Sequence, residues 1–350
     1  MSIIFAILIF SFLIFVHELG HFITAKLSGV QVNEFAMFMG PAIWKKKKGE
    51  TLYSIRCIPI GGYCAMEGED ELTDNPRAFR KAKWWKQLII LVAGSFMNFV
   101  AGVLIMVIVF MPAKGFVTTT ISEIEQGSLI GGEYGLQAGD TFLEIDGEKI
   151  YVQSDLSTIL SLNPGEVHDI VVERNGEKVV LNDFEMKKVT FPGEDTARFG
   201  ISFITEEATF ATKLSYAWKN VLNAGRIVRL SLQMLVTGQV GIADMAGPVG
   251  IVDQMSDVAD EAETKLDAVL SMRYFGGFIA INLAIMNMLP IPALDGGRVF
   301  ALLITTVIVK ITKKPVNPKV EGYIHGVGMV LLLAFMALIM FKDIFMIFKR

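Results

Sequence analysis

Three residues near the start of the chain carry the first chemistry. His17, Glu18 and His21 form a His-Glu-x-x-His motif within Phe15-Val16-His17-Glu18-Leu19-Gly20-His21-Phe22. On a helix, residues four apart share one face, separated by about 40°. Both imidazoles can then reach one Zn²⁺, with Glu18 free to act as a general base. The motif fixes only three positions, so its setting decides its weight. Residues 2–16 hold no charged side chain, and ionisable groups in a membrane-depth helix are costly and mark function. Of the four His in the chain, two lie here.

A catalytic zinc typically has three protein ligands and an open position for water. Asp295 is the candidate third ligand. It lies in Asn287-Met288-Leu289-Pro290-Ile291-Pro292-Ala293-Leu294-Asp295-Gly296-Gly297, where prolines and glycines exclude a regular helix. A turn aspartate before Gly-Gly is the alternative, common in water but expensive in a bilayer. Zn²⁺ would acidify a bound water and polarise a carbonyl. Glu18 would move the proton to the leaving amine, and Asn287 is the candidate donor to the charged intermediate.

These residues need a membrane scaffold. Of the 350 residues, 52 % are hydrophobic and 19 % charged, the balance of a membrane protein with an aqueous portion. The net charge of −4 argues against nucleic-acid binding. Cys57 and Cys64 match no zinc-ribbon or redox spacing. The N-terminal apolar run has no basic residue before it and no small-residue cleavage site, so it reads as a retained span.

Four spans are expected: 3–27, 87–111, 274–309 with a break at 287–297, and 323–341. Residues 28–86 are basic, with Lys45 to Lys48 in a row, and so are Lys310, Lys313, Lys314 and Lys319. The positive-inside rule puts both loops in the cytoplasm and both termini outside. His17 and Asp295 then lie at similar depth. Within 28–86, residues 32–38 and 51–58 read as strands with the Lys run and Gly49 as the hairpin tip. The Gly-rich segment at 59–63 fits a re-entrant sheet beside the site. In the second span, Ala93-Gly94-Ser95-Phe96-Met97-Asn98-Phe99 suggests close packing, and Asn98 is expected to bond to a neighbouring helix.

Residues 113–205 turn soluble and extracytoplasmic. Gly127-Ser128-Leu129-Ile130 leads to Tyr134-Gly135-Leu136-Gln137-Ala138-Gly139-Asp140. A strand, an Asp-Gly turn, a helix at 154–162 capped by Ser154 or Asp155, and an Asn175-Gly176 hairpin follow. This order resembles a PDZ domain, which binds extended peptides by strand addition. Its groove is expected at Gly127, Ser128, Leu129 and Ile130. Residues 206–274 read as a membrane-associated linker, with an amphipathic helix at 209–235, a breaker cluster at 246–250 and an acidic exposed stretch at 253–267.

The motif of the first span, paired with the Asn287 to Gly297 run of the third, resembles the site-2 protease family of intramembrane zinc metalloproteases, in its bacterial branch. The resemblance covers essentially the whole chain. It implies a polytopic α-helical membrane protein with a short re-entrant β-sheet and an inserted extracytoplasmic PDZ-like β-domain. It implies one Zn²⁺ per chain, set in the inner membrane with the site toward the cytoplasm. Expected substrates are transmembrane helices, such as anti-sigma factors after a first cut or remnant signal peptides, with peptide ends read by the PDZ domain. Substrate contacts are expected at Gly61, Gly62, Tyr63, Pro290 and Pro292. Some relatives carry two PDZ domains where one is visible here, and some carry His where Arg298 follows Gly297. A silent receptor or scaffold, or a metal transporter, are the alternatives. The complete ligand-and-base set argues against the first. The single ligand cluster argues against the second.

Overall fold

A computed structural model describes residues 2–69, 71, 73–132, 135–241, 245–260, 262, 264–313 and 318–349. Tyr134 of the Gly-Leu loop, Glu261 and Glu263 of the acidic stretch, and Lys314 of the second basic loop lie outside them. Two compact units form, 1–105 with 227–350, and 106–226.

In the first unit, α1 (Ser2–Ser28) is almost wholly apolar up to its His pair. Helix α2 (Trp84–Phe110) packs tightly on it: a methyl group on Gly20 would stand 2.4 Å from the Ala93 carbonyl oxygen. Helix α6 (Lys265–Met286) also packs on α2, where a methyl on Gly102 would meet the Ile281 side chain at 2.7 Å. Small residues permit this approach, since apolar side chains have no reason to leave lipid for one another. Helix α8 (Pro318–Lys349) completes a set of four helices, among the described residues, long and apolar enough to cross a membrane. Helix α6 begins ahead of the expected span, at the Thr264 cap, whose hydroxyl accepts from the Asp267 N–H. The third span becomes two helices, because α7 (Asp295–Thr312) restarts after the Pro-rich break. The breaker cluster at 246–250 opens α5 (Pro248–Asp260), and Asp343 of α8 accepts the Gly247 and Gly250 N–H groups at that end. The acidic stretch is therefore partly helix, with Met255 buried.

The loop after α1 is more ordered than its sequence suggests. Strand β1 (Val32–Lys48) and strand β2 (Thr51–Met66) bend back on each other. Phe35 pairs with Cys64 on one flank and Tyr53 on the other, while Trp44 pairs with Ile55. Four segments thus lie side by side in the order 62–66, 32–37, 51–56, 42–48. Phe38 and Gly40 turn the chain with positive φ, 74° and 83°. The Lys run is not the tip but the last stretch of β1, with Lys45 facing Ser54 and Lys48 facing Thr51. The turn itself is Gly49-Glu50. Phe35, Cys64 and Met66 seal the inner segments against Ala25 of α1 and Ile90 and Leu91 of α2.

The second unit holds β3 (Gly115–Ile124), β4 (Thr141–Ile145), β5 (Glu148–Lys149), α3 (Ser154–Leu162), β6 (Val167–Arg174), β7 (Glu177–Glu185) and β8 (Ile201–Glu207). The antiparallel sheet runs β7-β6-β4-β3-β8, with β5 on β4. Asn175 and Gly176 have φ of 54° and 83°, as the tight β6–β7 hairpin turn requires. Phe142, Ile145, Ile159 and Ile170 centre its core. Asp155 does not cap α3; its carboxylate accepts the Tyr151 and Val152 N–H groups just before the helix. Helix α4 (Phe210–Thr237) follows.

Candidate metal centre

Two helices bring His17, His21 and Asp295 to one point. Helix α1 presents the two imidazoles from successive turns, and α7 presents Asp295 as its first residue. The break before α7 is held by its backbone: the Gly296 N–H donates to the Asn287 carbonyl at 2.7 Å. Only glycine fits after Asp295. A methyl on Gly296 would stand 2.3 Å from the Leu289 carbonyl oxygen, and one on Gly297 would stand 2.2 Å from that of Ile291.

The geometry at the meeting point is specific. The two Nε2 atoms are 3.2 Å apart, and Asp295 Oδ2 lies 3.1 Å from His17 Nε2 and 3.4 Å from His21 Nε2. These are the edge lengths of a tetrahedron with about 2.0–2.1 Å from centre to corner, the usual zinc–ligand distance. His21 Nδ1–H donates to the Ile90 carbonyl at 2.8 Å, which leaves a lone pair on Nε2. Asp295 Oδ2 is buried with no aligned hydrogen-bond donor. Three lone-pair atoms facing one another repel unless a cation sits between them, so the residues fit a zinc ion. Among the described residues this is the cluster of His, Cys, Asp or Glu able to hold a metal ion.

Helix α2 supplies what surrounds the cluster. A methyl on Gly94 would stand 2.3 Å from His21 Nε2 and 2.7 Å from His17 Cε1, so Gly94 keeps the centre open. Asn98, nearly inaccessible, has its amide nitrogen 3.3 Å from His17 Nδ1, while its Oδ1 is buried without a partner. Turning the amide over pairs Oδ1 with a protonated Nδ1 and frees His17 Nε2 to face the centre. The neighbour expected for Asn98 is thus the first histidine of the motif.

Glu18 lies beside the sheet. The Cys64 N–H lies near its carboxylate. A methyl on Gly62 would stand 3.2 Å from Glu18 Cγ. Segment 62–66 pairs only with 32–37 among the described residues, so its other edge carries no strand. Gly61 and Tyr63 flank Gly62 on that segment. Tyr63 also bonds Glu34, which is paired with Arg56 at 2.7 Å. Pro290 is exposed, and Pro292 packs against Gly328 of α8, leaving no room for a methyl there. Asn287 caps the end of α6; its side chain makes no hydrogen bond among the described residues. Of the residues expected to line a peptide groove, Gly127 and Ser128 border a shallow cavity of about 540 Å³. Leu129 is exposed, and Ile130 is buried in the core, leaving only its backbone for contact.

A model of peptidase family M50 matches residues 5–335. A candidate zinc metalloprotease of Clostridium acetobutylicum is 36 % identical over 347 residues, covering 98 % of this chain and 97 % of the relative. The zinc metalloprotease RasP of Bacillus licheniformis is 28 % identical, with 97 % of each chain covered. The regulator of sigma-W protease RasP of Bacillus subtilis is 26 % identical at the same coverage.

Proposed function

The chain belongs to peptidase family M50 and is a multi-pass, zinc-dependent intramembrane metalloprotease, and on that footing we propose that His17, His21 and Asp295 hold its zinc and Glu18 is its general base. The observation that carries this is the triangle of 3.1, 3.2 and 3.4 Å between two imidazole nitrogens and a carboxylate oxygen, the donor set of a zinc site. Bound there, Zn²⁺ supplies a Lewis acid for the scissile carbonyl and acidifies a water toward neutrality. Glu18 accepts the proton of the attacking water and delivers it to the leaving amine. The Cys64 N–H lies beside the carboxylate that does this. Asn98 and the Ile90 carbonyl fix the two imidazoles by their far nitrogens. Asn287, with an unengaged amide close to Asp295 along the break, is the proposed donor to the developing oxyanion.

A transmembrane helix hides its carbonyls in hydrogen bonds, so a substrate must unwind before it is cut. The open edge of the Gly61-Gly62-Tyr63 strand offers replacement hydrogen bonds beside Glu18. Pro290 and Pro292 border the same centre through the Asp295 loop. The basic loops support a cytoplasmic-facing site in the inner membrane and an extracytoplasmic insertion at 113–205. That insertion is proposed as a PDZ-like domain that meets peptide ends at Gly127, Ser128, Leu129 and Ile130, within a chain divided as 1–112, 113–205, 206–274 and 275–350. The proposed substrates are anti-sigma-factor-like proteins after a first cut, with remnant signal peptides as the second class; the Bacillus subtilis relative is named for regulation of sigma-W.

The test is cleavage of a model transmembrane substrate by purified protein. Glu18→Gln is expected to lose about 10²–10⁴-fold in rate with zinc content unchanged. Cleavage that survives the substitution contradicts the general-base role.

A further inference from the structure

The edge of the re-entrant sheet farthest from Glu18 has a composition that the reaction does not use. Pro41 to Gly49 are all exposed. Ile43 is 72 % and Trp44 49 % exposed, and Met39, Ile55 and Ile58 beside them are also exposed. The next four residues are Lys45, Lys46, Lys47 and Lys48. None of them pairs with a carboxylate among the described residues; Glu50 is taken by Lys26 and Arg77, and Glu34 by Arg56. An apolar patch this open, followed by four unneutralised charges on a rigid strand, would be a liability in water.

The strand register orders these side chains by depth. Met37 pairs with Gly62 on one flank and Ile55 on the other, and Ile55 pairs with Trp44. Trp44 is therefore level with Gly62, which touches Ile14 and Glu18 of α1. Ile14 lies fourteen residues from the end of α1 at Ser28, about 20 Å along the helix. Glu34 pairs with Leu52, and Leu52 with Lys47, so Lys47 and Lys48 lie level with the start of β1, just past the end of α1. The outer strand thus runs from acyl-chain depth at Ile43 and Trp44 to headgroup depth at Lys47 and Lys48.

We propose that residues 42–48 form a lipid-facing edge, with Ile43 and Trp44 seated among acyl chains and Lys45 to Lys48 bound to the phosphates of anionic lipids. Charge complementarity selects this occupant: each lysine near an anionic leaflet gains about 1 kcal/mol, or about fivefold, and long lysine stems carry their charge outward past apolar neighbours. With one edge of the sheet held by lipid, the opposite edge at 61–66 keeps its place against Glu18. Anionic lipid is then a requirement for full turnover. This rests on the sheet's re-entrant placement beside the centre, not on the identity of the metal.

The experiment uses the full chain in nanodiscs of phosphatidylcholine alone, or with phosphatidylglycerol in both leaflets. Symmetric leaflets make the result independent of which face of the membrane the loops occupy. The difference in emission between the unmodified protein and Trp44→Phe isolates Trp44 from the other three tryptophans. Expected is a Trp44 contribution quenched by brominated acyl chains. Also expected is cleavage raised roughly threefold or more by phosphatidylglycerol in the unmodified protein, and not in a K45Q/K46Q/K47Q/K48Q variant. An unquenched Trp44 overturns the proposal in favour of a solvated hairpin. So does a variant that keeps its response to phosphatidylglycerol. A variant impaired equally in both lipids, and only on substrates with acidic flanks, overturns it in favour of substrate contact. Because quenching needs no metal, a failed zinc assignment and a failed lipid edge give different results.

Discussion

Two buried charged clusters, one in each unit, are built in opposite ways. In the unit at 106–226, Asp140 is fully buried and every bond points to a partner: Arg174 donates to both carboxylate oxygens at 2.7 Å, and the Gln137 N–H adds a third bond. His168 there donates or accepts at both nitrogens, to Asp146 and the Gly165 carbonyl. In the membrane unit, His17 and His21 have partners at their outer nitrogens only, and their inner nitrogens confront Asp295 Oδ2, which has none. A completed network pins loops and holds a fold. An incomplete one, kept open by its neighbours, holds a ligand. The difference is energetic: a buried polar atom without a partner costs about 1–3 kcal/mol, and a cation among three such atoms would remove that cost.

The comparison is most sharply broken by filling the open side. Gly94→Ala places a methyl where a zinc ion would sit, and crowding of a packed site is not relieved by small shifts. Zinc content by metal analysis is expected to fall to roughly a tenth of the unmodified value, with cleavage lost, while unfolding of the 106–226 unit is unchanged. Retained zinc would mean that Gly94 serves helix packing alone.

A smaller effect is expected from loosening an outer bond. Asn98→Ala removes the partner of His17 Nδ1 and is expected to weaken zinc affinity or turnover about 10–100-fold. Competition with a chelator measures it, and the isosteric Asn98→Asp variant, which can still accept from Nδ1–H, is expected to recover part of the loss.

How far these residues could be foreseen follows from where their information lies. His17, Glu18 and His21 are local on one helix, and Asp295 announces itself by a break that no membrane helix tolerates without cause. Gly94 and Asn98 were visible as a small residue and a polar one in the second span. That they face the histidines depends on the crossing of α1 and α2, set by Gly20 against Ala93, which no local pattern encodes. The Lys run read as a hairpin tip for the same reason. Lysine has little strand preference, and the pairing that holds it, Lys45 to Ser54 and Trp44 to Ile55, comes from a long arm folding back. The Asn175-Gly176 hairpin was legible because its turn chemistry is contained in two residues.

The least effect is expected in the inserted unit under acid. Burial alone would raise the Asp146 carboxyl, but the His168 ring, Asn163 and the Asp169 N–H together hold it below its ordinary value. Stability from a depressed carboxyl is fully present above the unfolded value of about 3.9 and is lost as pH falls through the lower folded value. Amide exchange in β6, corrected for intrinsic rate, is therefore expected to show weaker protection below about pH 4, and Asp146→Asn to remove most of that dependence. An unchanged acid response in the variant would assign it to other groups.

X-ray absorption at the zinc edge of the purified protein tests the central claim most directly. A zinc held by His17, His21 and Asp295 gives a first shell of nitrogen and oxygen at about 2.0–2.1 Å, an outer-shell signature of two imidazoles, and one imidazole fewer in His21→Ala. A sulfur shell at about 2.3 Å, or a shell of oxygens without imidazole, would contradict it and place the zinc elsewhere in the chain.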